Sequence, residues 1–105
     1  MVVAEADAGR EILLAKGAYL HVRLEALPGT GYRWVVSGVT TAVLESRGGV
    51  VFEPTPGAAP GGRQFQVLRF RAVGRGVTEL ELAYVRPWEQ SAPPARRIVF
   101  RVAVR

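Results

Sequence analysis

A chain of 105 residues, 49% of them hydrophobic, is long enough for one domain with a buried core and too short for two. It has no cysteine, which excludes disulfides, thiolate catalysis and cysteine-ligated zinc, so the fold must stand on burial alone. The formal net charge is +5, but the basic residues are spread along the sequence, with Arg96-Arg97 the only adjacent pair; this dispersion argues against a nucleic-acid partner.

In chain order, Glu11 to Leu14 reads as a short strand ended by Lys16-Gly17. From Ala18 to Ala26 the period is strictly two. Ala18, Leu20, Val22, Leu24 and Ala26 alternate with Tyr19, His21, Arg23 and Glu25, as a half-buried strand requires. The turn Leu27 to Gly31 follows, then a strand from Tyr32 to Val36. Val39 to Glu45 and Val50 to Phe52 are expected as two strands flanking a Gly48-Gly49 turn. Glu53 to Gly62, rich in Pro and Gly, is expected as a long loop.

Gln64 to Val73 is a longer strand whose phase breaks. Phe65 and Val67 suit one face while Leu68, Phe70 and Ala72 suit the other, so a bulge is expected near Val67-Leu68. Val77 to Arg86 restores clean alternation, with Leu80, Leu82 and Tyr84 opposite Glu79 and Glu81. Ile98, Phe100, Val102 and Val104 repeat it at the end. No stretch keeps a helical period. Seven to eight short strands separated by turn signals predict an all-β, antiparallel β-sandwich, with residues 1–105 as a single domain.

Reactive constellations are missing. His21 is the only histidine and lies on the polar side of its strand, so neither a metal site nor a Ser-His-Asp triad has a basis. Glu79 and Glu81 read as a solvated strand face. Gly57 to Gly62 lacks the Gly-Lys-Ser/Thr of a phosphate loop. No enzyme activity, metal or cofactor is expected. No apolar run approaches the roughly 20 residues of a membrane span. The acidic Met1-to-Asp7 segment does not read as a signal peptide. That leaves a cytoplasmic chain as written, or a periplasmic or secreted one from which a leader was removed.

What remains is two aromatic-anchored turns. Pro28-Gly29-Thr30-Gly31 combines a fixed φ with two glycines, which lets its backbone approach another surface closely. It could equally be a plain connecting turn followed by a core Trp34. Arg86-Pro87-Trp88 ends a clean strand, since Pro87 stops the ladder. Trp88 is either a contact anchor or a side chain folded back onto the sandwich edge, and Arg86 either meets a partner or pairs with a carboxylate of its own domain.

Three pieces in this order, Leu27-Pro28-Gly29-Thr30-Gly31-Tyr32-Arg33-Trp34, Pro60-Gly61-Gly62 and Arg86-Pro87-Trp88, together with the strand ending at Tyr84, resemble the chagasin family of cysteine protease inhibitors. The family motifs are Asn-Pro-Thr-Thr-Gly-Tyr/Phe-x-Trp, Gly-x-Gly-Gly and Arg-Pro-Trp. Leu27 stands where the family has Asn, Gly29 where it has Thr, and Ala59 where the second motif begins with Gly. The resemblance implies an immunoglobulin-like fold and a monomer that reversibly occludes papain-like proteases without being cleaved. Leu27 to Tyr32 would cover the catalytic Cys-His pair, while Pro60, Gly61, Gly62 and Arg86, Pro87, Trp88 grip either side. The residues alone also leave open a non-inhibitory protein-binding module and a basic nucleic-acid binder.

Overall fold

The structure is a computed structural model that describes residues 1–54, 62–89 and 91–105. Among the described residues there are eight strands: β1 Val2–Val3, β2 Glu11–Leu14, β3 Tyr19–Ala26, β4 Arg33–Gly38, β5 Leu44–Pro54, β6 Gln64–Ala72, β7 Gly76–Val85 and β8 Arg96–Val104. They form two four-stranded sheets, ordered β1-β3-β6-β5 and β2-β8-β7-β4. The central pairings are antiparallel. The edge strands β1 and β2 instead lie parallel to β3 and β8. β1 carried no sequence signal, being only two residues long, but it buries Val3 against the core.

The alternating residues of the sequence build the interior. Leu20, Val22, Leu24 and Ala26 of β3 and Phe70 and Ala72 of β6 face Leu80 and Leu82 of β7 and Ile98, Phe100, Val102 and Val104 of β8, all buried. Burial of these two apolar faces is the main favourable contribution to folding, in a chain with no covalent cross-link.

Two expectations are corrected in the middle of the chain. Val39–Glu45 and Val50–Phe52 are not separate strands around a glycine turn. β5 runs unbroken from Leu44 to Pro54, and the turn lies earlier, where the Val43 N–H donates to Thr40 O. Gly48-Gly49 instead sits inside a bulge. Arg47 pairs with Arg69 and Val51 with Val67, so Gly48, Gly49 and Val50 stand opposite Leu68 alone. Gly48 has φ +87°, which a residue with a side chain adopts only at a cost.

The irregularity foreseen near Val67-Leu68 therefore belongs to the partner strand. β6 itself is regular and keeps an unbroken register with β3. Its inward set is Gln66, Leu68, Phe70 and Ala72. The phase break was an illusion created by a buried glutamine and by Phe65 facing outward, where the Arg23 guanidinium lies 4.1 Å from its ring centroid.

Gln66 is 1% exposed and bridges the two sheets. Its side-chain oxygen accepts from the Trp34 N–H at 2.7 Å and its NH2 donates to the Trp34 carbonyl at 2.7 Å. β4 is the terminal strand of its sheet, so Trp34 has no further strand to pair with on that side. The glutamine amide supplies both missing partners.

Candidate functional site

Register alone gathers three connections at one end of the sandwich. Ala26, the last residue of β3, pairs with Gln64, and Gln64 pairs with Pro54. In the other sheet, Arg33 at the start of β4 pairs with Val85 at the end of β7. The strand ends Ala26, Arg33, Pro54, Gln64, Val85 and Arg96 therefore all lie at the same pole.

The first loop is a single 3-10 turn over Pro28–Thr30. The Thr30 N–H donates to Leu27 O and the Gly31 N–H to Pro28 O, each at 3.0 Å. Thr30 Oγ1 donates to Leu27 O at 2.6 Å. Gly31 ends the turn in the left-handed region at φ +83°. Pro28 presets the entering φ, and Leu27 is left 45% exposed beside the tip.

The base of this turn is clamped by aromatic rings. Trp34, 1% exposed, donates its indole N–H to Glu25 O at 3.1 Å. Tyr84 lies against it, with ring centroids 4.9 Å apart, and also stacks on Tyr32 at 5.2 Å. The Tyr84 hydroxyl accepts from the Leu27 N–H at 2.9 Å. Tyr84→Phe removes that acceptor while keeping the stack. A loss of about 1 kcal/mol in urea unfolding is expected, with faster amide exchange at Leu27 than at Leu24.

The third loop is tied to the first. Arg86 Nε donates to Thr30 O at 3.0 Å, and the guanidinium lies 4.5 Å from the Tyr32 ring centroid. Arg86 also pairs with Glu89 at 3.3 Å, and the Glu89 N–H closes a turn onto Arg86 O. Arg86 therefore braces the two loops against each other, taking up both the carboxylate and the ring within its own domain. Trp88 does not fold back into the core. It is 67% exposed, and its indole lies across Gly31: a Cβ at that glycine would come 2.0 Å from Trp88 Cη2. Pro87 beside it is exposed.

The structure thus brings Leu27, Pro28, Gly29, Thr30, Gly31, Tyr32, Arg86, Pro87 and Trp88 onto one ridge. Of the second group, Pro60 and Gly61 lie outside the described residues. Gly62 is half-buried two positions before the Gln64–Pro54 pair and so belongs to the same pole. Sequence reading missed Gln66, which holds the strand behind the first loop. A glutamine at an inward position of an alternating strand was its only signal. The ridge offers shape, apolar area and stiffness, with no acid–base pair at its tip. Among the described residues, no group of three or more His, Cys, Asp or Glu is arranged to hold a metal, and no helix is long and apolar enough to cross a membrane.

The sequence pattern of the chagasin family of peptidase inhibitors (I42) matches residues 14–104. Amoebiasin-2 of Entamoeba histolytica is 28% identical over 86 residues, covering 82% of this chain and 70% of that protein. The crystal structure of the cysteine protease inhibitor EhICP2, also from Entamoeba histolytica, is similar with a TM-score of 0.84 at 23% identity, over 99% of this chain and 94% of that one. PbICP-C, solved in complex with falcipain-2, is similar with a TM-score of 0.63 at 18% identity, over 99% and 98% of the two chains.

Proposed function

The chain belongs to the chagasin family of peptidase inhibitors, and on that premise we propose that it inhibits papain-like cysteine proteases reversibly, as a monomer acting through one domain, by wedging its loop ridge into the active-site cleft. The observation that carries this reading is the lock between the first and third loops. Arg86, Tyr32 and Thr30 join two segments over 50 residues apart, and Trp88 rests on Gly31. A ridge ordered before binding loses little entropy on docking, which is where flexible loops forfeit affinity.

The same geometry accounts for survival in a protease cleft. A cleaved substrate lies extended, its backbone groups free to pair with the enzyme. At the tip, the Thr30 and Gly31 N–H groups are already committed to Leu27 O and Pro28 O, so Pro28-Gly29-Thr30 presents a closed turn. The scissile geometry is never offered, and the inhibitor occludes without being consumed. Leu27 and Trp88 supply exposed apolar area on either side of the tip. Gly29, lacking a side chain, keeps the tip narrow. Gly62, with Pro60 and Gly61, forms the other flank in this reading.

Titration against papain tests it. Active-site occlusion predicts competitive inhibition that is recovered in full on dilution, with the inhibitor intact by mass after prolonged incubation. Absence of inhibition at tens of micromolar, or progressive cleavage between Leu27 and Tyr32, would remove the proposal.

A further inference from the structure

Arginines far apart in the chain are collected on the outward face of the first sheet. The register sets His21 of β3 opposite Arg69 of β6, and Arg69 opposite Arg47 of β5, so these three side chains form one row across the sheet. The next row, toward the pole away from the loops, reads Tyr19, Arg71, Glu45. Beyond it, Lys16, Arg71 and Arg75 line a shallow concavity. Against these five cations stands one carboxylate, Glu45, which already pairs with Arg47 at 3.2 Å.

Among the described residues, Arg69, Arg71, Arg75 and Lys16 have no acidic partner. Rows nearer the loops differ: Arg23 is matched by Glu53 at 2.9 Å and Arg63 by Glu25 at 3.5 Å. Like charges placed directly across a sheet, as Arg47 and Arg69 are, weaken it. The same row contains two shielded polar atoms with no hydrogen-bond partner among the described residues, His21 Nε2 and Arg47 Nε. This face gathers four cations without an acidic partner beside two shielded polar atoms without a hydrogen-bond partner, among the described residues.

We propose that this face binds a sulfated polysaccharide, with sulfate groups on Arg47, Arg69 and Arg71 and the chain continuing toward Lys16 and Arg75. Guanidinium forks match tetrahedral oxyanions, and successive rows about 7 Å apart let one linear polyanion meet several of them. A nucleic acid fits less well. Tyr19 is the one Phe, Tyr or Trp ring in these rows, and it has the Arg69 and Arg71 guanidiniums 5.7 and 5.6 Å from its centroid; with His21 half-buried, no broad open platform is left for stacked bases. The face lies away from the loop ridge, so the proposal does not rest on the inhibitory reading.

The test is calorimetric titration with a heparin oligosaccharide. Binding that weakens steeply with NaCl is expected. The Arg47→Gln/Arg69→Gln double variant is expected to lose roughly 100-fold in affinity, about tenfold per charged contact. Arg71→Gln is expected to lose roughly tenfold, and both variants should melt at or above the temperature of the parent. Arg101→Gln on the other sheet, where Arg101 pairs with Glu11, is expected to change affinity less than about twofold. Four results would overturn the proposal: no binding, an equal loss with Arg101→Gln, equal affinity for inorganic sulfate alone, or equal affinity for a single-stranded RNA of matching charge.

Discussion

Trp88→Ala is expected to raise the inhibition constant against papain by roughly 30- to 1,000-fold while leaving thermal stability almost unchanged. The indole is 67% exposed and contributes little to the core, yet it is the largest apolar group on the ridge. Truncating a central tryptophan of an interface costs about 2–4 kcal/mol. Gly31→Ala separates the presence of the indole from its position. The new methyl group would lie 2.0 Å from Trp88 Cη2, at a φ of +83° that alanine disfavours by about 1 kcal/mol. Because the Trp88 indole is mostly exposed and outside the core, its displacement should leave the fold intact, and inhibition should fall by tenfold or more with the indole still present. An inhibition constant within about threefold of the parent for both variants would mean that the third loop does not meet the protease.

Gln66→Leu is expected to be the most damaging single change away from the hydrophobic core. It keeps the size of the side chain but strands the Trp34 N–H and carbonyl, both now bonded at 2.7 Å, in a buried site. At about 1–3 kcal/mol for each orphaned group, the loss takes a large share of a small domain's stability. The melting temperature should drop by roughly 10–30 °C. Gln66→Glu keeps an acceptor for the Trp34 N–H but turns a carboxylate on the Trp34 carbonyl. That variant should recover stability on acidification, because a protonated carboxyl donates again, and the leucine variant should not. A melting temperature for Gln66→Leu within a few degrees of the parent would show that water or a shifted β4 satisfies Trp34 instead.

The two experiments probe different parts of one device. Trp88 and Gly31 report on the ridge surface. Gln66 reports on the base, since Trp34 receives Gln66 on its backbone, gives its indole N–H to Glu25 O and packs on Tyr84, which in turn holds Leu27. A loosened Trp34 should therefore weaken inhibition through a residue that lies beneath the ridge. Comparing the inhibition constants well below the melting temperature of the glutamine variant would separate lost geometry from lost folded protein.

Much of the architecture was legible in the residues. The two-residue period of β3, β7 and β8 named nearly every core position in those strands, because a half-buried strand is a local pattern that needs no knowledge of its neighbours. The order of Leu27–Trp34, Pro60–Gly62 and Arg86–Trp88 pointed to the family, and proline and glycine at the turns announced their stiffness. Absent cysteine disposed of disulfide and thiol chemistry.

Pairing between strands decided the rest, and pairing is not written in any one segment. Whether the anomaly at Gly48–Val50 and Leu68 belonged to β5 or β6 depended on which residues ended up opposite each other. Gln66 looked like a break in phase until a second sheet placed Trp34 over it. Arg86 could have met a partner or a carboxylate of its own domain; the fold gives it Glu89 and also Thr30 O and the Tyr32 ring of the first loop. The basic residues looked scattered until β3, β6 and β5 set His21, Arg69 and Arg47 side by side. Alternation along a strand fixes which way a side chain faces; only the register of antiparallel neighbours, chosen by the whole core, fixes what it faces next to.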